Sequence, residues 1–412
     1  MAPRRRAGPL VTFPQLSIHR VGERVSLANR VHGTRVEATP DVLEILAFFR
    51  EPATLAAFDR AFEVDPSLLD ELIRQGVLVD AAALPVLLGG SLERSAIPFG
   101  QPAHLSDLRS KELRDATHVV VGAPFELGVT CEGGARGGPR EIRRGVAVAP
   151  DDRGVFSASI LDVDARARID TAGVRVLDLG DLQSLPTEGL DAVGARLRHV
   201  LGAALDASKV PLLLGGDHAL TLFALDAVIA RHGAVGVLHF DAHLDLNGTV
   251  SWLNHANVFA HALARPEVKA LRQIGVRAYE SLDASDRTVT DRRLSWVTAR
   301  EVHAGITARR ALQGLPRKLP CYLSFDVDAL DPSVAPETGA PVVGGLLLHE
   351  VLPLITAAMR TLNVVAADFM EVAESTSRRN SAAASTARVL TEVILAGCPR
   401  TTLRPSSLAP RR

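Results

Sequence analysis

The chain has 412 residues, 46 Lys and Arg against 47 Asp and Glu, a net charge of −1 and 47% hydrophobic residues. At roughly 150 residues per domain, that length implies two to three domains. Balanced charge excludes a polyelectrolyte that grips nucleic acid or an anionic membrane, and the apolar content excludes a disordered chain.

No stretch approaches the ~20 uncharged apolar residues of a bilayer span. No apolar core of a secretory signal follows the basic start Met1-Ala-Pro-Arg-Arg-Arg6. The three cysteines, Cys131, Cys321 and Cys398, are scattered and form no CxxC pair, which argues against a disulfide framework and fits a reducing cytoplasm. Cys131, in a glycine-rich loop, reads as a small packing residue rather than a site residue.

Residues 1–19 carry Arg and Pro without a period and are expected to lack order. Residues 20–80 read as a small winged-helix-like module. Thr39 is a candidate N-cap with Pro40 at the first helical position, and Leu43, Leu46, Ala47 and Phe49 follow at helical spacing. Pro52-Ala-Thr54 opens a second helix that runs through Phe62. Asp65-Pro66 opens a third, which ends at Gln75 before Gly76, and Val77-Leu-Val79 reads as a strand. From Thr39 to Asp80 nine acids face three arginines, so a phosphate backbone would be repelled. A peptide or protein partner, a dimerisation contact or a plain packing role remains for the module.

Residues 81–115, with Gly89-Gly90, Pro98 and Pro102, read as a linker. From 116 to 398 apolar β-branched runs alternate with amphipathic stretches, the pattern of an α/β domain with a mainly parallel sheet. Strands are predicted at 118–122, 174–179, 210–214, 235–240, 272–276, 321–325 and 364–369. Helices are predicted at 190–207, 219–232, 348–360 and 381–396. Residues 399–412, rich in Pro, Ser and Arg, read as a loose tail.

Three segments place acids and histidines directly after apolar strands, where open α/β sheets put their ligand sites. Leu212-Leu-Leu-Gly-Gly-Asp-His218 ends a buried strand in a tight turn with a histidine at its mouth. In Val237-Leu-His-Phe-Asp-Ala-His-Leu-Asp245 the side chains of Asp241, His243 and Asp245 share one face of an extended segment. Cys321-Tyr-Leu-Ser-Phe-Asp-Val-Asp328 repeats the spacing with Asp326 and Asp328, and Asp331 beyond them reads as a turn or supporting acid. Such carboxylates need a counter-charge, which a divalent cation supplies. His218, Asp241, His243, Asp245, Asp326 and Asp328 over-supply one metal and suit two, roughly 3.5 Å apart with shared carboxylates. With O and N donors and no thiolate, Mn²⁺ fits best, with Co²⁺, Ni²⁺, Fe²⁺ and Zn²⁺ as competitors.

These segments resemble the metal signatures of the ureohydrolases, the family of arginase, agmatinase, guanidinobutyrase, proclavaminate amidinohydrolase and formiminoglutamase. The resemblance extends to Gly122-Ala-Pro-Phe and to Gly133-Gly-Ala-Arg-Gly-Gly-Pro139-Arg-Glu-Ile-Arg143, and runs from about 116 to 397. It implies a three-layer α/β/α arginase-like fold with two Mn²⁺ per chain. By the resemblance His218, Asp241, Asp245 and Asp326 would hold one ion, Asp241, His243, Asp326 and Asp328 the other, with Asp241 and Asp326 bridging. The ions would activate a water that attacks a guanidino carbon, giving urea and an amine.

His255 in Asn254-His-Ala-Asn257 falls at the family's proton-shuttling histidine, although the family often reads His-Gly there. Asp245 is the other candidate for proton transfer. Asp368-Phe-Met-Glu371 resembles the late motif whose Glu meets the guanidinium. Glu374 competes for that role, because Ala-Glu-Ser follows where the family commonly reads Asn-Pro. Trp252 and Asn254, in the loop after Asp245, are the substrate-binding candidates, with packing as the alternative for Trp252. The substrate stays open among agmatine, arginine, a guanidino acid and peptidyl arginine. The resemblance further implies a homo-oligomer, trimer or hexamer. The competing readings are a single-zinc deacetylase of the same fold and a binding protein without catalysis.

Overall fold

The computed structural model describes residues 8–13, 16–29, 34–84, 92–111, 113–157, 159–183, 188–247, 251–279, 288–377 and 379–402. Parts of the expected loose stretches, at 1–7, 85–91 and 403–412, lie outside these residues, as do 248–250 of the loop after Asp245. The chain forms two compact units, 1–91 with 184–199 and 92–183 with 200–412.

The first unit starts with β1 (Leu10–Thr12), followed by an antiparallel sheet of β2 (Leu16–Val21), β3 (Arg24–Asn29) and β4 (Thr34–Ala38). Period-two alternation is clear in β4, where Val36 and Ala38 are buried while Arg35 and Glu37 are exposed. Gly22, at φ 61°, makes the two-residue turn between β2 and β3. Order therefore begins by Leu10 rather than at residue 20. Leu10 and Phe13 are fully buried, and this burial holds a stretch expected to be loose.

Helices Val42–Phe48, Leu55–Ala61 and Pro66–Arg74 follow, then β5 (Leu78–Asp80), which pairs with β1. Thr54 and Asp65 cap the second and third helices with their side chains, as their sequence positions predict. The first helix starts at Val42 rather than Pro40. Its N-cap is Asp41, and Thr39 contributes only its carbonyl, to the Val42 amide. Phe49 stacks on Phe58 with centroids 5.2 Å apart, at the centre of the unit's core.

In the second unit β6 (Leu92–Glu93), β7 (Gln101–Pro102), β8 (His118–Gly122), β9 (Ser159–Asp162), β10 (Ala167–Asp170), β11 (Val176–Leu182), β12 (Val210–Leu214), β13 (Val235–Phe240), β14 (Val268–Val276), β15 (Leu294–Thr298), β16 (Pro320–Asp326), β17 (Asn363–Met370) and β18 (Arg400–Thr402) follow in turn. The main sheet has ten strands in the order β15-β14-β13-β16-β17-β12-β8-β11-β6, with β7 also on β11. From β15 to β11 every pairing is parallel. Every residue of β13 is buried, as a parallel strand covered on both faces must be. Helices Leu190–Asp206, Thr221–His232, Leu348–Thr361 and Ser381–Leu395 match four predicted ones to within two residues. Short strands β6 and β7 tie the expected linker into the sheet, and β18 pairs with β10, so the expected tail is ordered to Thr402.

Beneath the glycine-rich segment Arg143 is fully buried, with Nε 2.8 Å and Nη2 2.9 Å from the Asp178 carboxylate and Nη1 2.6 Å from Asp181. Arg143→Met would leave Asp178 buried and unpaired, so urea unfolding should show a loss of about 3–5 kcal/mol. A loss below about 1 kcal/mol would mean that the pair barely offsets its own desolvation.

Candidate metal centre

Strands β13, β16, β17 and β12 are consecutive in the sheet, and their carboxyl ends bring the three motifs and Glu371 together. Leu214 closes β12, and Gly215-Gly216 turn the chain towards His218. A Cβ on Gly216 would lie 1.7 Å from the Phe125 carbonyl, and one on Gly215 would lie 2.1 Å from Met370 Sδ. Glycine is needed there for close approach. Asp217 takes the Leu127 and Gly128 amides at 2.6 and 2.9 Å, and Gly128 O accepts the His255 amide. The early glycine-rich loop thus fastens the turn to the His255 segment.

All six expected ligands meet. His218 Nδ1 lies 3.1 Å from Asp245 Oδ2, 3.1 Å from Asp326 Oδ2 and 3.5 Å from Asp241 Oδ2. His243 Nδ1 lies 3.4 Å from Asp241 Oδ1 and 3.0 Å from Asp328 Oδ2. Asp241 therefore stands between two donor groups, with one oxygen towards each.

His218 Nδ1 and Asp241 Oδ2 are buried without a hydrogen-bond partner among the described residues. The tautomer explains the first. His218 Nε2 sits 2.9 Å from Ser324 Oγ, which donates its one hydrogen to Asp368 at 2.6 Å. Nε2 must therefore carry a hydrogen, and Nδ1, aimed into the acid cluster, is the nitrogen left bare once its proton is displaced. Asp368 also accepts from Tyr322 at 2.5 Å and Thr221 at 2.7 Å. Bare imidazole nitrogen and crowded carboxylate oxygen form a donor set that fits divalent cations.

The electrostatics agree. Burial, then the Asp241 charge, pushes Asp245 up to about 7 and Asp328 up to about 6. Burial and the neighbouring carboxylates raise Asp326 well above its ordinary value. Burial would lower His243, but Asp241 and Asp328 overcome it and raise the imidazole to about 12. Asp245 and Glu371 both hold left-handed backbone, at φ 52° and 62°, a strain that functional positions tend to carry.

His255 and Glu371 face the same cavity of about 200 Å³, with Thr130, Cys131, Asn247, Thr338 and Ala340 also on its wall. Glu371 Oε1 accepts the His218 amide at 2.7 Å and lies 3.4 Å from His255 Nδ1. Burial lowers the His255 imidazole, but the bond to Glu371 and nearby carboxylates raise it overall.

Other expectations separate. Glu374 is not on the cavity wall; it pairs with Arg140 at 3.1 Å on the surface. Asn254 is outside the cavity wall: its amide accepts from Ala256 N and donates to Trp252 O, capping the turn that carries His255. Trp252 is 55% exposed and outside the cavity wall. Asp331 is a turn acid, holding the Ser333, Gly344 and Gly345 amides. Cys131 lines the cavity, with Sγ 3.8 Å from His255 Nε2. Sequence reasoning also missed Thr130, whose Oγ1 lies 2.7 Å from that nitrogen, and His239, whose position two residues before Asp241 on the same strand face was an available signal.

A buried cluster of carboxylates and imidazoles at the ends of parallel strands makes a candidate metal centre on an α/β fold. The arginase family profile matches residues 116–396. The chain is 34% identical over 261 residues to an agmatinase of Sodalis glossinidius, covering 63% of this chain and 80% of the relative. It is 33% identical over 267 residues to the proclavaminate amidinohydrolase of Streptomyces clavuligerus, covering 62% and 79%. The solved structure of proclavaminate amidinohydrolase from Streptomyces clavuligerus superposes with a TM-score of 0.60 at 28% identity, over 73% of this chain and 97% of that one. The chain belongs to the arginase family. It is a ureohydrolase, acting on amidine C–N bonds.

Because Asp245, Asp326 and Asp328 are raised and His218 and His243 are raised too, a bound cation displaces the protons these groups favour. Mn²⁺ titrations at pH 6, 7 and 8 should show affinity rising with each step and proton release in weak buffer. Equal affinity at pH 6 and pH 8 would contradict these raised values.

Proposed function

We propose that this chain is a manganese amidinohydrolase with two ions per chain, releasing urea from a guanidino group whose carrier bears no free carboxylate near the site. The observation that carries it is the convergence of six metal-type donors, Glu371 and His255 on one cavity. The ion pair, when bound, supplies hydroxide near neutral pH. Glu371 can accept the N–H groups of a guanidinium and turn its carbon towards the donors. Asp245 can take a proton from the attacking water. His255, whose imidazole Glu371 raises against the opposing effect of burial, can give a proton to the departing amine, which would otherwise be a very poor leaving group.

Carrier choice follows from the cavity wall. Its described residues include no Lys or Arg to pair with an α-carboxylate. That favours agmatine, or arginine within a peptide, over free arginine and guanidino acids. The acidic surplus between Thr39 and Asp80, nine acids to three arginines, would suit a cationic peptide.

Urea release with added Mn²⁺ should be at least ten-fold more efficient (kcat/KM) with agmatine or an arginine-containing peptide than with free arginine or guanidinobutyrate. A preference for free arginine would overturn the carboxylate-free reading. Deleting residues 1–80 should reduce peptide turnover and spare agmatine if that unit selects a peptide.

Asp241→Ala should remove manganese and urea release together. Elemental analysis near two Mn per wild-type chain supports the reading, whereas one Zn would favour the deacetylase alternative. His255→Asn should lower kcat by about 10²–10⁴-fold while manganese content stays the same. Unchanged turnover in that variant would remove His255 from the proton path.

A further inference from the structure

His239 is close enough to His218, Asp241 and Asp245 to resemble another metal ligand. Its hydrogen bonds assign it otherwise. On the adjacent strand β14, Gln273 is its register partner, and both side chains are fully buried. Gln273 Nε2 lies 3.0 Å from His239 Nδ1 and donates to the Leu244 carbonyl at 2.7 Å. That carbonyl can only accept, so it fixes which end of the Gln273 amide is nitrogen. The nitrogen's other hydrogen then points to His239 Nδ1, which must accept it. An imidazole that accepts at Nδ1 carries its hydrogen on Nε2. Ligation through Nε2 would require an imidazolate, for which the buried surroundings offer no cause.

His239 Nε2 lies 2.8 Å from Asp241 Oδ2. The contact is oblique, so it restrains the oxygen without consuming it as a straight hydrogen bond would. Asp241 Oδ1 is held from the other side by the His243 amide at 2.5 Å. The Phe259 ring, 4.0 Å away between centroids and tilted by 36°, packs against the imidazole and limits its rotation. Each oxygen of the one carboxylate shared by both donor groups therefore has its own restraint.

We propose that Gln273 and His239 form a positioning pair: Gln273 sets the imidazole tautomer, and His239 holds the Asp241 carboxylate in the orientation that serves both halves of the centre. This rests on the amidinohydrolase reading above. It deepens that reading by naming residues that act through a ligand rather than on the substrate.

The test uses the full chain loaded with Mn²⁺ and a chelator competition that reads metal retention. His239→Phe preserves bulk and removes the donor. Retention should fall by about 10–100-fold, the usual effect of losing a partner that orients a ligand. kcat should fall with it, while KM for the guanidino substrate stays within about two-fold. His239→Gln, which again offers an N–H towards Asp241, should recover most of the retention. Gln273→Met should lower retention in the same direction, and it carries the test if His239→Phe does not fold. Wild-type retention in both His239→Phe and Gln273→Met overturns the proposal. So does a His239→Phe loss that His239→Gln leaves unrecovered, because packing alone would then explain it. Failure of the broader reading is distinct: the wild-type chain itself would retain no manganese, or release no urea from any guanidino probe.

Discussion

Four carboxylates crowded into a dry space is the constraint from which the rest of this structure follows. Asp241, Asp245, Asp326 and Asp328 come from the ends of two neighbouring parallel strands. Like charges this close repel by several kcal/mol even at an effective dielectric of about 20. Raised Asp245, Asp326 and Asp328 and raised His218 and His243 are that repulsion expressed as retained protons. Divalent cations held there would remove it more completely than protons can, so the cluster suits a metal centre.

The surroundings are arranged to keep the donors aimed. Under His218 lies the chain Ser324, Asp368, Tyr322 and Thr221, all fully or nearly fully buried, which keeps a hydrogen on Nε2 and turns Nδ1 towards the carboxylates. Backbone at Asp245 and Glu371 is held in left-handed conformation that neither residue prefers. The Gly215-Gly216 turn lets backbone and side chains approach more closely than any Cβ would allow. Each device gives up some local stability for the position of His218, Asp245 or Glu371.

Much of this was legible in the linear text because the relevant period is short. Asp241, His243 and Asp245 declare a shared face by their i, i+2, i+4 spacing, and the apolar runs before them declare buried strands. Strand β15 and the first sheet of the N-terminal unit escaped notice. Their alternation is brief, as in Val36 and Ala38, and competes with flanking arginines and glutamates. The placement of Asn254 off the cavity wall and of Cys131 on it was hidden for a different reason. Whether a polar side chain faces a cavity or caps a turn depends on partners such as Trp252 O, or His255 124 residues away from Cys131.

What the sequence determined by itself was the candidate set: six metal-type donors, Glu371 and His255, since each sits in a local motif and most of them follow directly on a strand end. What only the tertiary structure decided was adjacency. The order β13-β16-β17-β12 places three distant motifs side by side, and the register of β13 with β14 sets Gln273 behind His239. Strand order is a property of crossover connections and sheet pairing, which leave no periodic trace in the residues they bring together.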